Sequence, residues 1–287
     1  MSIELKQVSC SYNFRTKQEI LALNGISMKI EDGEFVGIMG HTGSGKSTLV
    51  QLIAGLIRPN SGQVFLDGKD INERGYDRNN LHRQVGIVFQ NPEYQLFETT
   101  VAKDVAFGLK HSGLRKEEAC ERVRQALEQM GFSYDDIADA SPFALSGGEK
   151  RRVAIAGVLA ARPKTLIFDE PIAGLDPEGR RQFLELVRKL NREGVSILMV
   201  SHHADSICAC AERVLVLEQG SLVLDGSPKA VFADLERTSR LHIGASQPRQ
   251  IAELLIQSGI PFSRDIVRYE DLLDELKNRW KGGTRCE

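Results

Sequence analysis

Cysteine is scarce in this chain: five residues among 287, odd in number and scattered at Cys10, Cys120, Cys208, Cys210 and Cys286. That distribution excludes the paired framework of a small disulfide-stapled secreted domain and suits a reducing compartment. Cys208 and Cys210 form a Cys-Ala-Cys pair, but residues two apart on a helix face different sides and no matching Cys/His pair follows. They read as unreactive packing residues. Long apolar runs are also missing. The longest candidates are strand-sized, such as Val195–Val200, far short of the ~18–20 residues that span a bilayer, so any membrane role has to come through a partner. Met1–Cys10 carries no basic segment leading into an apolar stretch, which predicts no signal peptide. Basic surplus is absent as well: 37 Lys and Arg against 39 Asp and Glu argue against a dedicated nucleic-acid binder. No internal repeat or low-complexity segment stands out.

The balance of 41% apolar and 26% charged residues is that of a soluble globular protein, and the length suits one large α/β domain with an appendage, or two modest domains. Short Val/Ile-rich segments alternate with helical patterns, the signature of a mostly parallel sheet covered by helices. Strands are predicted at Ile3–Tyr12, Leu21–Ile30, Glu34–Met39, Val85–Phe89, Thr165–Asp169, Val195–Val200 and Arg213–Leu217. The last turns through Gln219-Gly220-Ser221 into Leu222–Leu224 as a hairpin. A helix over Ser47–Ile57 stops at Pro59-Asn60-Ser61-Gly62. From Thr99 to Phe143 the pattern turns helical, notably over Lys116–Met130, and reads as a helical insertion. After Asp234 a polar irregular stretch precedes two amphipathic helices, Pro248–Ser258 and Tyr269–Trp280, which form a C-terminal appendage.

Gly40-His41-Thr42-Gly43-Ser44-Gly45-Lys46-Ser47 meets the phosphate-loop pattern G-x-x-x-x-G-K-[ST] at every position, between a predicted strand and a predicted helix. Glycines let the backbone curl so that successive N–H groups face inward, and the following helix turns its positive end toward anionic phosphates. Lys46 is assigned to the β- and γ-phosphates of ATP, Ser47 to Mg²⁺, and the nucleotide-binding segment runs on to Thr48. Leu166-Ile167-Phe168-Asp169-Glu170 is an apolar strand ending in two acids, at the sheet edge where open α/β folds hold their ligands. Asp169 anchors the Mg²⁺ shell in this reading and Glu170 polarises the attacking water. A base beside the γ-phosphate suits hydrolysis more than transfer to a metabolite.

Leu145-Ser146-Gly147-Gly148-Glu149, followed by Lys150-Arg151-Arg152, resembles the signature motif of the ABC ATPases. Ser146 and Glu149 also have the spacing of a capping box at a helix start left open by two glycines. The order of phosphate loop, signature and carboxylate pair is that of the family, which implies an α/β fold with a mixed-sheet core, an N-terminal antiparallel β subdomain and a helical subdomain at about 99–145. ATP hydrolysis is the implied activity. By resemblance, Gln90 is the glutamine that senses the γ-phosphate and the metal, and Asp176 in Ala173-Gly174-Leu175-Asp176 is an interface residue. His202 is the switch histidine and Tyr12 the aromatic that stacks on adenine, while His203 is given no role. In the family the signature of one subunit closes over nucleotide on the other, so one loop and one signature per chain imply a homodimer or a heterodimer.

Phe89-Gln90-Asn91-Pro92-Glu93-Tyr94-Gln95-Leu96-Phe97, with Thr100–Gly108 behind it, is similar to the ATPases of energy-coupling factor transporters and their cobalt-importer relatives. This resemblance implies an ATPase domain over 1–235, a dimer-holding appendage over 241–287 and a peripheral place on the cytoplasmic face of the cell membrane. The implied partners are a second ATPase, an integral membrane scaffold subunit and a separate substrate-capturing membrane subunit for a vitamin or metal ion. Glu93 and Glu98, flanking Tyr94, Leu96 and Phe97, are expected to receive a basic residue of a scaffold helix. A soluble ABC ATPase of DNA repair would carry a coiled-coil insertion, and a ribosome-associated one two cassettes. A metabolic P-loop kinase has no use for Leu145–Glu149, and an ATPase of another ABC transporter class is the alternative kept.

Overall fold

The computed structural model describes residues 1–110 and 112–283, so Cys286 lies outside the described residues. Among the described residues ten strands form two sheets: β1 (Ile3–Tyr12), β2 (Ile20–Ile30), β3 (Phe35–Met39), β4 (Ser61–Leu66), β5 (Lys69–Asp70), β6 (Val85–Val88), β7 (Thr165–Asp169), β8 (Ser196–Val200), β9 (Arg213–Glu218) and β10 (Ser221–Gly226). The helices are α1 (Lys46–Ile53), α2 (Arg78–Gln84), α3 (Val101–Ala106), α4 (Lys116–Gln129), α5 (Tyr134–Ile137), α6 (Gly147–Ala160), α7 (Pro177–Arg192), α8 (Ala204–Cys210), α9 (Pro228–Phe232), α10 (Leu235–Arg240), α11 (Gln247–Gln257) and α12 (Tyr269–Gly283).

The larger sheet has the order β10-β9-β3-β8-β7-β6. Its pairs from β9 to β6 are parallel, and β10 is antiparallel to β9. It is the expected mixed sheet. Every residue of β3 and β8 is buried, as a sheet covered on both faces requires, and alternate side chains enter two different cores. Phe35, Met39, Phe168 and Met199 join the helical side, while Val36, Ile38, Ile167 and Leu198 join the side closed by α1 and the smaller sheet. That smaller sheet, β2-β1-β4-β5, is antiparallel, as the N-terminal reading expected.

The helical layer runs past residue 145, because α6 supplies Val153, Ala156 and Leu159 to the core that α3 and α4 share. The stretch after Asp234 is not irregular. Asp234 Oδ1 accepts from Arg237 N at 2.9 Å and caps α10, a helix with a single buried residue, Thr238. The appendage has a core of Ala252, Ile266 and Leu272 with Phe262 packed on it, yet Leu241, Ile243 and Val267 belong to the large core. The described cysteines are free, and burial pushes the Cys208 thiol up to about 12, consistent with packing residues. No helix among the described residues is long and apolar enough to cross a membrane.

Candidate nucleotide-binding site

The loop between β3 and α1 sits at the carboxyl edge of the larger sheet, and its glycines are required by space as well as by φ. Gly40 holds φ +146°, and a Cβ there would lie 2.3 Å from Leu217 O and 2.5 Å from Ser44 Oγ. Gly45 holds φ +104°, with Ala22 O 2.5 Å from where its Cβ would be. Only glycine fits either place. Lys46 Nζ donates to Gly40 O at 2.7 Å and His41 O at 2.8 Å, which curls the loop around its ammonium group. Burial pulls the Lys46 ammonium below its usual value, while the charges of Glu170 and Asp169 oppose that shift. Ser44 Oγ is buried with no hydrogen-bond partner among the described residues.

Ser47 Oγ donates to Asp169 Oδ2 at 3.1 Å, across a sequence gap that only the parallel sheet closes. Burial raises the Asp169 carboxyl above its ordinary value, the Ser47 hydrogen bond lowers it, Glu170 raises it and Lys46 lowers it. A hydroxyl and a carboxylate on hard-oxygen terms, beside a phosphate loop, fit Mg²⁺, which takes one or two protein ligands and fills its octahedron with phosphate and water. Among the described residues no group of three His, Cys, Asp or Glu side chains is gathered to hold a metal by itself.

Glu170 follows β7 with φ 51°, a left-handed conformation uncommon outside glycine. Its N–H donates to Val200 O at 3.0 Å, and its Oε2 lies 2.9 Å from His202 Nδ1. The strained backbone thus sits at the carboxylate assigned to hydrolysis, where such strain tends to gather. His203, given no role by the sequence, stacks on His202 with ring centroids 4.0 Å apart. Burial, then the charges of His202 and Arg180, hold His203 below its usual value. A doubled histidine was the available signal, but stacking is visible only in three dimensions.

Tyr12 ends β1 with its hydroxyl 3.0 Å from Thr48 Oγ1 and its ring half exposed, beside the first turn of α1. Gln90 is an exposed residue just past β6, before Asn91 at φ 55° and the short turn Pro92–Gln95. The signature behaves as its spacing predicts: Ser146 caps α6, with Glu149 Oε2 accepting from Ser146 N at 2.9 Å and Glu149 N donating back to Ser146 Oγ at 3.4 Å. Ser146, Gly148 and Asp176 line one cleft of about 750 Å³, and no phosphate-loop residue lines it. Asp176 caps α7 by accepting from Gly179 N at 3.0 Å. Within one chain, then, the phosphate loop and the signature are not brought together.

Glu93 and Glu98 differ from the expected pair of outward carboxylates. Glu98 already pairs with Lys110 at 3.3 Å, and Glu93 Oε2 is buried. The outward face of this segment is aromatic: Tyr94 is 84% exposed, and Phe97 and Phe107 meet edge-on at 4.7 Å. Chain folding through the turn Pro92–Gln95 onto α6 directs the carboxylate inward.

The model of the ABC transporter family matches residues 23–173. The energy-coupling factor transporter ATP-binding protein EcfA2 of Caldanaerobacter subterraneus subsp. tengcongensis is 44% identical over 286 residues, 99% of each chain. The protein of the same name from Clostridium perfringens is 43% identical, over 97% of this chain and 99% of that one. Among solved structures, CbiO1 of Clostridium perfringens, part of the ABC transporter complex CbiONQ, aligns with a TM-score of 0.72 at 36% identity, covering 88% of this chain and 98% of that chain. The dimeric ATP-binding cassette MJ0796 bound to ADP and Pi aligns with a TM-score of 0.70 at 30% identity, covering 79% and 98%. With the phosphate loop, the carboxylate pair and the capped signature in their family order, the chain belongs to the ABC transporter ATPases, in the branch of the energy-coupling factor ATP-binding proteins.

Proposed function

We propose that this chain binds and hydrolyses ATP as one of two motors of an energy-coupling factor importer for a vitamin or metal ion. One observation carries the chemistry: Ser47 Oγ lies 3.1 Å from Asp169 Oδ2 at the same sheet edge where His202 Nδ1 lies 2.9 Å from Glu170 Oε2. A cation ligand pair and a carboxylate with its orienting imidazole stand beside one phosphate loop. The backbone N–H groups of residues 40–48 cradle the phosphates, and Lys46 exchanges its carbonyl acceptors for β- and γ-phosphate oxygens. Ser47 and Asp169 would hold Mg²⁺, with Gln90 completing its surroundings, and the ion when bound offsets phosphate charge. Glu170 accepts a proton from the attacking water while His202 fixes that carboxylate and reaches the γ-phosphate. Tyr12 lays its half-exposed ring on adenine, with its hydroxyl tied to Thr48.

The cleft lined by Ser146, Gly148 and Asp176, with Gly147 beside it, receives the nucleotide of the opposite subunit, in a homodimer or a heterodimer. The exposed aromatic face at Tyr94, Phe97 and Phe107 suits docking on a membrane scaffold subunit at the cytoplasmic face, with substrate chosen by a separate membrane subunit. Two substitutions test the chemistry. Lys46→Ala is expected to abolish tight ATP binding, whereas Glu170→Gln keeps binding and loses about 10²–10⁴-fold in turnover. Near-normal turnover in Glu170→Gln removes that residue from the mechanism.

A further inference from the structure

Arg151 stands on α6 just past the signature, and its side chain is buried at 8% exposure. A guanidinium is costly to bury unless its donors are used. Nη1 donates to Ala173 O at 2.8 Å and Nη2 donates to Pro171 O. Both carbonyls belong to the loop that leaves Glu170 and runs to Asp176. Ile172 anchors that loop in the large core, but its backbone is held loosely. Its internal backbone bonds, Ala173 N to Glu170 O at 3.3 Å and Leu175 N to Ile172 O at 3.2 Å, are long, and its backbone turns left-handed at Glu170 and Gly174. Glu93, on the turn after Gln90, lies close enough for its charge to favour the charged guanidinium against the burial that opposes it. One side chain therefore joins the signature helix to the loop from Glu170 to Asp176.

We infer that Arg151 is a positioning residue for hydrolysis: its two hydrogen bonds hold the loop that aims Glu170. The inference rests on the reading of Glu170 as the carboxylate that polarises water. An arginine that only fills space would affect folding and leave turnover per folded molecule alone. A positioning role separates binding from rate, because the side-chain hydrogen bonds of Arg151 go to the loop that starts at Glu170 and none among the described residues goes to the phosphate loop.

The test uses the full chain, with ATP affinity, KM, kcat and amide hydrogen exchange measured for Arg151→Met, Arg151→Lys and Glu170→Gln. Arg151→Met is expected to keep ATP affinity and KM, to speed exchange over residues 171–176, and to lose about 10- to 100-fold in kcat, the scale of a misplaced catalytic group. Arg151→Lys, which keeps the charge and some donors, recovers part of that loss. If Arg151→Met does not fold, Arg151→Lys carries the test. Wild-type kcat and unchanged exchange over 171–176 in the folded variants overturn the inference, as does an Arg151→Lys variant no better than a folded Arg151→Met. Loss of turnover in Glu170→Gln with none in the Arg151 variants sinks this inference alone. Retained turnover in Glu170→Gln sinks the reading beneath it.

Discussion

The nucleotide edge of the larger sheet and the C-terminal appendage hold their shapes by different means. At the edge, β3, β7 and β8 are buried on both faces, and that packing supports Gly40 at φ +146° and Glu170 at φ 51°. The appendage has three buried apolar residues in a core of its own, reaches the large core through Leu241, Ile243 and Val267, and adds polar bonds to α8. Asp205 Oδ1 accepts from Gln247 N at 2.8 Å, and Arg268 donates to Cys208 O at 2.7 Å and Ala211 O at 3.3 Å. Of the leucines on its helices, Leu272 points inward, whereas Leu254, Leu273 and Leu276 remain exposed. A deep core can fix strained backbone for chemistry. A shallow one leaves an exposed apolar face, which we propose a second ATPase subunit covers.

The comparison breaks most visibly at two glycines. Gly40→Ala is expected to destabilise the chain by about 2–4 kcal/mol and to abolish ATP binding, because its Cβ meets main-chain oxygen that cannot move. Gly259→Ala, at φ +82° with open space around its Cβ, should cost only about 1 kcal/mol, the left-handed backbone penalty alone. Thermal unfolding and nucleotide titration of the two variants decide it, and equal losses would erase the distinction between the regions.

A smaller effect is expected on the appendage's outer face. Leu254→Glu with Leu273→Glu should change unfolding free energy by less than about 0.5 kcal/mol per site, as for other exposed positions, yet weaken nucleotide-free association. Sedimentation velocity reads this directly, and an unchanged association constant would move the subunit contact elsewhere.

The smallest effect sharpens the electrostatics of the edge. The Asp169 carboxyl is raised by burial, so the folded state binds more protons than the unfolded one between the ordinary carboxylate pKa and the raised value, and stability falls as pH climbs through that window. At neutral pH the full penalty applies. Asp169→Asn should therefore stabilise the protein there, a gain that disappears on acidification below the ordinary carboxylate range. Denaturant unfolding against pH checks the sign, and a gain that grows on acidification would reverse it.

Strands with a strong local signal were legible in the sequence: Ile3–Tyr12 and Thr165–Asp169 have the predicted limits, and the β9–β10 hairpin turns at Gln219-Gly220 as read. Elements with little apolar periodicity were not. Strand β4 begins with Ser61-Gly62, which reads as a turn, and α2 and α10 each bury a single residue, Leu81 and Thr238. Pairing with β1 makes β4 a strand, and side-chain caps from Asp77 and Asp234 start the two helices. The inward turn of Glu93 was likewise invisible, because a carboxylate beside an aromatic looks the same in sequence whether it faces water or the interior.

The sequence by itself determined the family, the phosphate loop, the carboxylate pair and the capped signature, because each depends on residue type at fixed local spacing. Tertiary structure alone decided which of them meet. Parallel pairing of β7 with β8 and of β8 with β3 brings Asp169 to Ser47 and Glu170 to His202. Packing of α6 places Arg151 against the carbonyls of Pro171 and Ala173, while the signature faces a separate cleft. Such contacts join residues far apart along the chain, and burial selects them, so no local pattern records them.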